Sequence, residues 1–106
     1  MARTLINVPK TVRRGEPFEI RVLISHPMEP GVRRDTEGRL IPRDIIRSFR
    51  CTCNGVMVIE ADLQPAIAAN PFLAFAAVAQ ESGEVVFTWT DDHGAVQTER
   101  AAFTVA

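Results

Sequence analysis

Few side chains in this 106-residue sequence could do chemistry, and those few are scattered. There are two histidines, His26 and His93, and two cysteines, Cys51 and Cys53. His26 stands in LISHPMEPGVRRD (23–35), two residues before Met28. Imidazole, thioether and thiolate are donors that suit copper, so His26, Met28, His93 and a cysteine make one conceivable metal set. None of their spacings is a ligand motif. The simpler reading gives His26, before Pro27, a hydrogen-bonding role at a loop entry, and His93 a place in a turn.

Cys51 and Cys53 are i and i+2 on an expected strand, so both point to one face. Their Cα atoms would stand roughly 6.6 Å apart with parallel side-chain vectors, which disfavours a disulfide between them. They read as two small buried hydrophobes or, in an oxidising compartment, as thiols able to bond to a partner chain. Ser25 and Ser82 lack a nucleophile-elbow motif. Asp91 and Asp92 are adjacent, so on a strand they diverge instead of facing each other as a catalytic pair. No convergent catalytic set emerges, and the chain is expected not to be an enzyme and to need no cofactor. Arg33, Arg34, Arg39 and Arg43 flank DTEG (35–38), and guanidinium forks there suit an oxyanion or an acidic partner. A solvated charged loop is the competing reading.

The elements that must position these groups are strands. In PFEIRVLIS (17–25), Phe18, Ile20, Val22 and Ile24 share one face while Glu19, Arg21 and Ser25 share the other, the period of a half-buried strand. IIRSFRCTC (45–53) leads into Asn54-Gly55, a strong two-residue hairpin signal, and VMVIEADL (56–63) returns. AIAANP (66–71) suits a short helical turn or crossover. FLAFAAVA (72–79) reads as a buried strand, although its alanines would also suit a helix. EVVFTWT (84–90), the turn DDHG (91–94) and AVQTERAAFTVA (95–106) complete the pattern with a first strand near TLINV (4–8). About seven strands with a turn signal every 8–12 residues predict an all-β, immunoglobulin-like β-sandwich spanning 1–106 as one domain. The interruption from Pro27 to Pro42 is too long for a hairpin turn, and loops of that length are usually functional or disordered. VMVIEADL and FLAFAAVA are apolar on both faces, whereas a sandwich buries only one face of each sheet. That points to a protein partner over them.

Composition is that of an ordinary globular domain, 46% apolar and 24% charged. Eleven basic and six acidic groups give residues 1–50 a charge of +5, while Arg100 against seven acids gives 51–106 a charge of −6. With net charge −1, no tyrosine and no reading motif, nucleic-acid binding is excluded as a function class. No apolar run is long enough to span a bilayer. No signal peptide is visible at the N-terminus, which taken alone predicts a cytoplasmic protein.

Ordered strings then become specific. SHPM falls on Ser25, His26, Pro27 and Met28, and IPR-x-II on Ile41, Pro42, Arg43, Ile45 and Ile46. ANP falls on Ala69, Asn70 and Pro71, and FTWTDD-x-G on Phe87 through Asp92 and Gly94. Together they resemble the SoxZ family over nearly the whole chain. The resemblance implies a non-catalytic subunit of a SoxYZ-like sulfur carrier in thiosulfate oxidation, pairing with a SoxY subunit. The arm cysteine that covalently holds sulfur intermediates would belong to that partner, and this chain would present docking surface to the oxidising enzymes. It also implies a periplasmic location without an export signal of its own, the partner carrying it across folded, which replaces the cytoplasmic expectation. His26, Met28, Arg33, Arg34, Arg43, Phe72 and Phe75 are the expected partner-facing residues, with Arg33 and Arg34 meeting acidic groups. Any inter-subunit disulfide would involve Cys51. The alternative is an independent periplasmic copper or small-ligand binder.

Overall fold

The computed structural model describes residues 3–63 and 69–106. Eight strands follow in order: β1 (Arg3–Asn7), β2 (Thr11–Val12), β3 (Phe18–Ser25), β4 (Ile46–Cys53), β5 (Val56–Asp62), β6 (Phe72–Ala77), β7 (Gly83–Asp91) and β8 (Val96–Val105). They form a three-stranded sheet, β1-β3-β6, facing a five-stranded sheet, β2-β8-β7-β4-β5. This is the all-β, immunoglobulin-like sandwich that the strand pattern predicts. FLAFAAVA resolves its ambiguity as a strand over Phe72–Ala77, antiparallel to β3. The unanticipated element is β2, two residues paired in parallel with the end of β8. A strand that short carries no periodicity and exists only because the C-terminal strand is there to receive it. The turn expected over 66–71 lies in part outside the described residues.

Period-two patterning builds the core. Phe18, Ile20, Val22 and Ile24 of β3 meet Val85, Phe87 and Trp89 of β7 and Phe49, Cys51 and Cys53 of β4. Phe49 is the hub, its ring centroid 6.2 Å from Phe75, 6.4 Å from Phe87 and 6.5 Å from Trp89. Aromatic pairs at such separations contribute about 0.5–1.5 kcal/mol beyond area burial. An irregularity between Ile46 and Ser48 lets Ile46 and Phe49 both face inward although they are three residues apart.

The two sheets differ in width, and this sets the surface. The Phe49–Phe75 contact places β6 over β4. Since β6 is the last strand of the small sheet and β5 the last of the large one, the large sheet runs on by one strand past the small one. The β4–β5 hairpin turns through Asn54 (φ 50°) and Gly55 (φ 81°), the left-handed pair that a type I′ turn requires. Asn54 Oδ1 then accepts the Glu84 amide at 3.0 Å, tying that hairpin to β7.

Candidate interaction surface

The long loop between Ser25 and Ile46 is built from its own backbone rather than left open. Glu29 and Asp44 exchange N–H···O bonds of 2.8 and 2.9 Å at its base. Further out, the Ile41 amide bonds to Arg33 O at 2.8 Å and the Asp35 amide to Arg39 O at 2.9 Å. Asp35 Oδ1 accepts the amides of Glu37 and Arg39, closing the tip. Gly31 (φ 84°) is required where the two arms cross, because a Cβ there would stand 2.9 Å from Cβ of Arg43.

His26 and Met28 are the inward anchors of this loop. The Met28 amide donates to His26 Nδ1 at 3.0 Å, and Met28 Sδ accepts the Ile46 amide at 3.2 Å. The His26 amide donates to Asn70 Oδ1 at 3.0 Å, while the Asn70 amide returns a 2.7 Å bond to His26 O. Both side chains are buried, so what they offer a partner is the shape of the loop they hold.

His26, Asp44 and Asp91 bring potential metal-donor atoms within 4.8 Å of one another. His93 Nε2 stands 3.4 Å from Asp44 Oδ1, and His26 Nε2 3.7 Å. The hydrogen bonding argues against a metal there. Because Nδ1 of His26 accepts a backbone N–H, the neutral ring carries its proton on Nε2, the atom that would have to ligate. That N–H faces Asp44 instead. Met28 sulfur is engaged with Ile46, and both cysteines are buried between the sheets on β4, beside β7, so the copper set of His26, Met28, His93 and a cysteine is not assembled. Asp91 and Asp92 do diverge: Asp91 Oδ1 accepts the amides of His93 and Ala95, and Asp92 turns to Arg43.

The arginines of the loop largely meet acids of this same chain. Arg33 pairs with Glu29 and holds its carboxyl below the usual range, outweighing the opposing effect of burial. Arg43 grips Asp92 through bonds of 2.8 and 2.7 Å, and that bonding likewise lowers the Asp92 carboxyl. Arg34 donates to Gly38 O at 2.9 Å and Arg39 lies 3.6 Å from Glu37.

Cys51 and Cys53 share the interior face and are free thiols. Burial, helped by the neighbouring Cys53, pushes the Cys51 thiol up to about 12, and burial also raises Cys53. Cys51 is fully enclosed between the sheets, so a partner's thiol has no path to it while the sandwich is closed.

Phe72 and Phe75 point to opposite faces of β6. Phe75 lies against Phe49 in the core, whereas Phe72 is 60% exposed. Register aligns Leu5, Leu23 and Phe72 across the three strands of the small sheet, an apolar row on its outer face. Around the β6 side lie exposed Val78, Val56 and Met57, lining with Cys53 and Ala79 a gap of about 400 Å³ between the two sheet margins. Sequence reasoning found the strands of this surface because FLAFAAVA has no polar residue and VMVIEADL is partly apolar on both faces. It could not find the gap, which depends on the unequal width of the sheets.

The family model for the sulphur oxidation protein SoxZ matches residues 6–102. No individually curated sequence matches the chain. Among solved structures, the chain is similar to a superoxide reductase (neelaredoxin) from Ignicoccus hospitalis, with TM-score 0.73 and 18% identity over 99% of this chain and 82% of that one. It is also similar to the sulfur carrier protein SoxY from Chlorobium limicola f thiosulfatophilum, with TM-score 0.67 and 14% identity over 97% of this chain and 78% of that one. At these identities the likenesses establish the fold alone.

Proposed function

The chain belongs to the SoxZ family, and from that premise we propose that it is the non-catalytic partner of a SoxY-type subunit in a heterodimeric sulfur carrier. The SoxY subunit would hold the sulfur intermediates on its arm cysteine. This chain would complete the heterodimer and offer docking surface to the sulfur-oxidising enzymes. Its two cysteines are buried with raised thiols, which is the opposite of what a sulfur-carrying nucleophile needs.

The observation that carries the pairing is the uncovered apolar side at β6. The row Leu5–Leu23–Phe72 lies on the outer face at the start of β6, and the gap lined by exposed Val78 and Val56 lies past the far end of that strand. Exposed apolar surface of this kind marks a protein contact. The neutral, shaped loop from His26 to Ile45, with Arg34 and Arg39 at its exposed end, is the second surface and the one we assign to docking. A periplasmic location, reached together with the partner, fits this role.

Co-expression of the two subunits with a tag on the SoxY-type chain tests the reading. A 1:1 complex recovered from the periplasmic fraction is the expected result. Recovery of the tagged subunit alone, with this chain folded and monomeric in the cytoplasm, would reject it.

A further inference from the structure

Among the described residues the outer margin of β6 is unpaired, and it differs from every other margin of the sandwich. β5 carries Glu60 and Asp62 and pairs with β4 through an irregular register. β1 carries Arg3 and Asn7, and β2 is only two residues long. Charges, bulges and brevity are how proteins prevent unwanted pairing at sheet edges. β6 and its continuation, FLAFAAVA, have no charge, no proline and no break in register with β3.

The ladder shows which backbone groups this leaves open. The Ile24 amide donates to Pro71 O at 3.0 Å, so 71, 73, 75 and 77 are the residues hydrogen-bonded to β3. By alternation, N–H and C=O of Phe72, Ala74 and Ala76 point away from β3, where no described strand pairs with them.

A second, independent feature lies opposite. Pairing with Cys53, Cys51 and Phe49 turns Val56, Ile59 and Ala61 of β5 toward the interior side of the large sheet. Nothing in the small sheet stands over them, since β6 covers β4. Val56 is accordingly 70% exposed although it faces inward, and Ile59 is only half-buried. A strand added beside β6, at about 4.8 Å, would fall over β5 and fill the gap between the margins.

We propose that β6 receives an extended segment of the partner subunit by strand addition, widening the small sheet to four strands and capping β5. The segment is uncharged over about six residues, with apolar side chains at alternate positions directed onto Val56 and Ile59. Backbone pairing supplies the fit and the alternate side chains supply the selectivity. This rests on the SoxY-type pairing proposed above.

Ala74→Pro and Ala76→Pro test it in the co-expressed complex. Each removes an amide aimed at the open margin without touching the ladder to β3, a setting in which edge prolines are tolerated. Each should weaken the heterodimer about tenfold or more while the isolated chain keeps its thermal midpoint within a few degrees. As a measurement independent of mutation, hydrogen exchange at Phe72, Ala74 and Ala76 in the wild-type chain should slow at least tenfold on pairing. Folded proline variants that pair normally, or amides that stay unprotected in the complex, overturn the strand addition alone. A wild-type chain that does not pair overturns the underlying reading and this inference with it. Prolines that abolish self-association of the isolated chain but spare the heterodimer would give the margin to a second copy and reject the proposal.

Discussion

Arg43 and Asp92, 49 residues apart, form a two-pronged ion pair that fastens the long loop to the β7–β8 turn. Asp92 Oδ2 also accepts the Ile45 amide at 3.1 Å, and the Asp92 amide donates to Ile45 O at 3.0 Å. Replacing Asp92 with Ala therefore removes a guanidinium partner and a backbone acceptor together. The expected loss is on the order of 1–2 kcal/mol, a fall of several degrees in thermal midpoint by calorimetry. Arg43→Lys keeps the charge but not the fork and should fall in between.

Stability should decline on the acid side because of Glu29 and Asp92. Both carboxyls are lowered in the folded chain by their arginines. A lowered folded value means that the stabilisation is complete above the unfolded carboxyl range near pH 4 and is lost as pH falls below it. Glu29→Gln with Asp92→Asn should flatten the acid limb of a urea-midpoint profile between about pH 5 and 2.

Cys51 governs the basic side. Its thiol stays protonated to about 12 in the folded chain. The unfolded thiol ionises near 8.5, so stability should fall from that pH upward, by at most about 1.4 kcal/mol per pH unit. Cys51→Ala should reduce that slope. The native thiol should also resist Ellman's reagent until the chain is unfolded, and non-reducing electrophoresis of the co-expressed pair should show no band at the summed mass.

Phe72 and Phe75, three residues apart, should respond oppositely to aspartate. Phe75→Asp places a charge against Phe49 and should cost about 3–5 kcal/mol, enough to unfold a small domain. Phe72→Asp should leave thermal unfolding of the isolated chain nearly unchanged and abolish co-purification with the partner. Normal pairing of a folded Phe72→Asp chain would remove the outer row from the interface.

A close approach at Gly83 yields a further test. A Cβ on Gly83 would lie 1.7 Å from Asn54 Oδ1, the atom that accepts the Glu84 amide. Gly83→Ala should push that side chain out of its bond and cost about 1–2 kcal/mol, whereas Gly55→Ala should be penalised by its φ of 81° alone. Equal denaturant midpoints for wild type and Gly83→Ala would contradict this.

The strands were legible because period-two alternation depends only on residue type: Phe18 to Ile24 and Val85 to Trp89 face the core as their spacing requires. The Asn54-Gly55 turn was legible for the same local reason. What lies beyond the sequence is whatever depends on partners distant in the chain. Phe72 and Phe75 look alike in FLAF, yet register with β3 sends one outward and one onto Phe49. The arginines read as an open cationic patch until Glu29 and Asp92 appear beside Arg33 and Arg43. His26 looked like a metal donor because its type is visible in the sequence and its tautomer is not.

The pairing within the long loop has a kinetic consequence. Between His26 and Ile45 the chain carries four arginines, at 33, 34, 39 and 43, and four acids, Glu29, Asp35, Glu37 and Asp44. The segment is electrically balanced, so it projects little field beyond a Debye length of about 8 Å. For the docking proposed above, encounter should then be unsteered, with association near the ordinary 10⁵–10⁶ M⁻¹s⁻¹ and largely indifferent to ionic strength. In the docking role proposed above, each visit would then end as readily as it begins, with discrimination in how long a fitted loop stays bound.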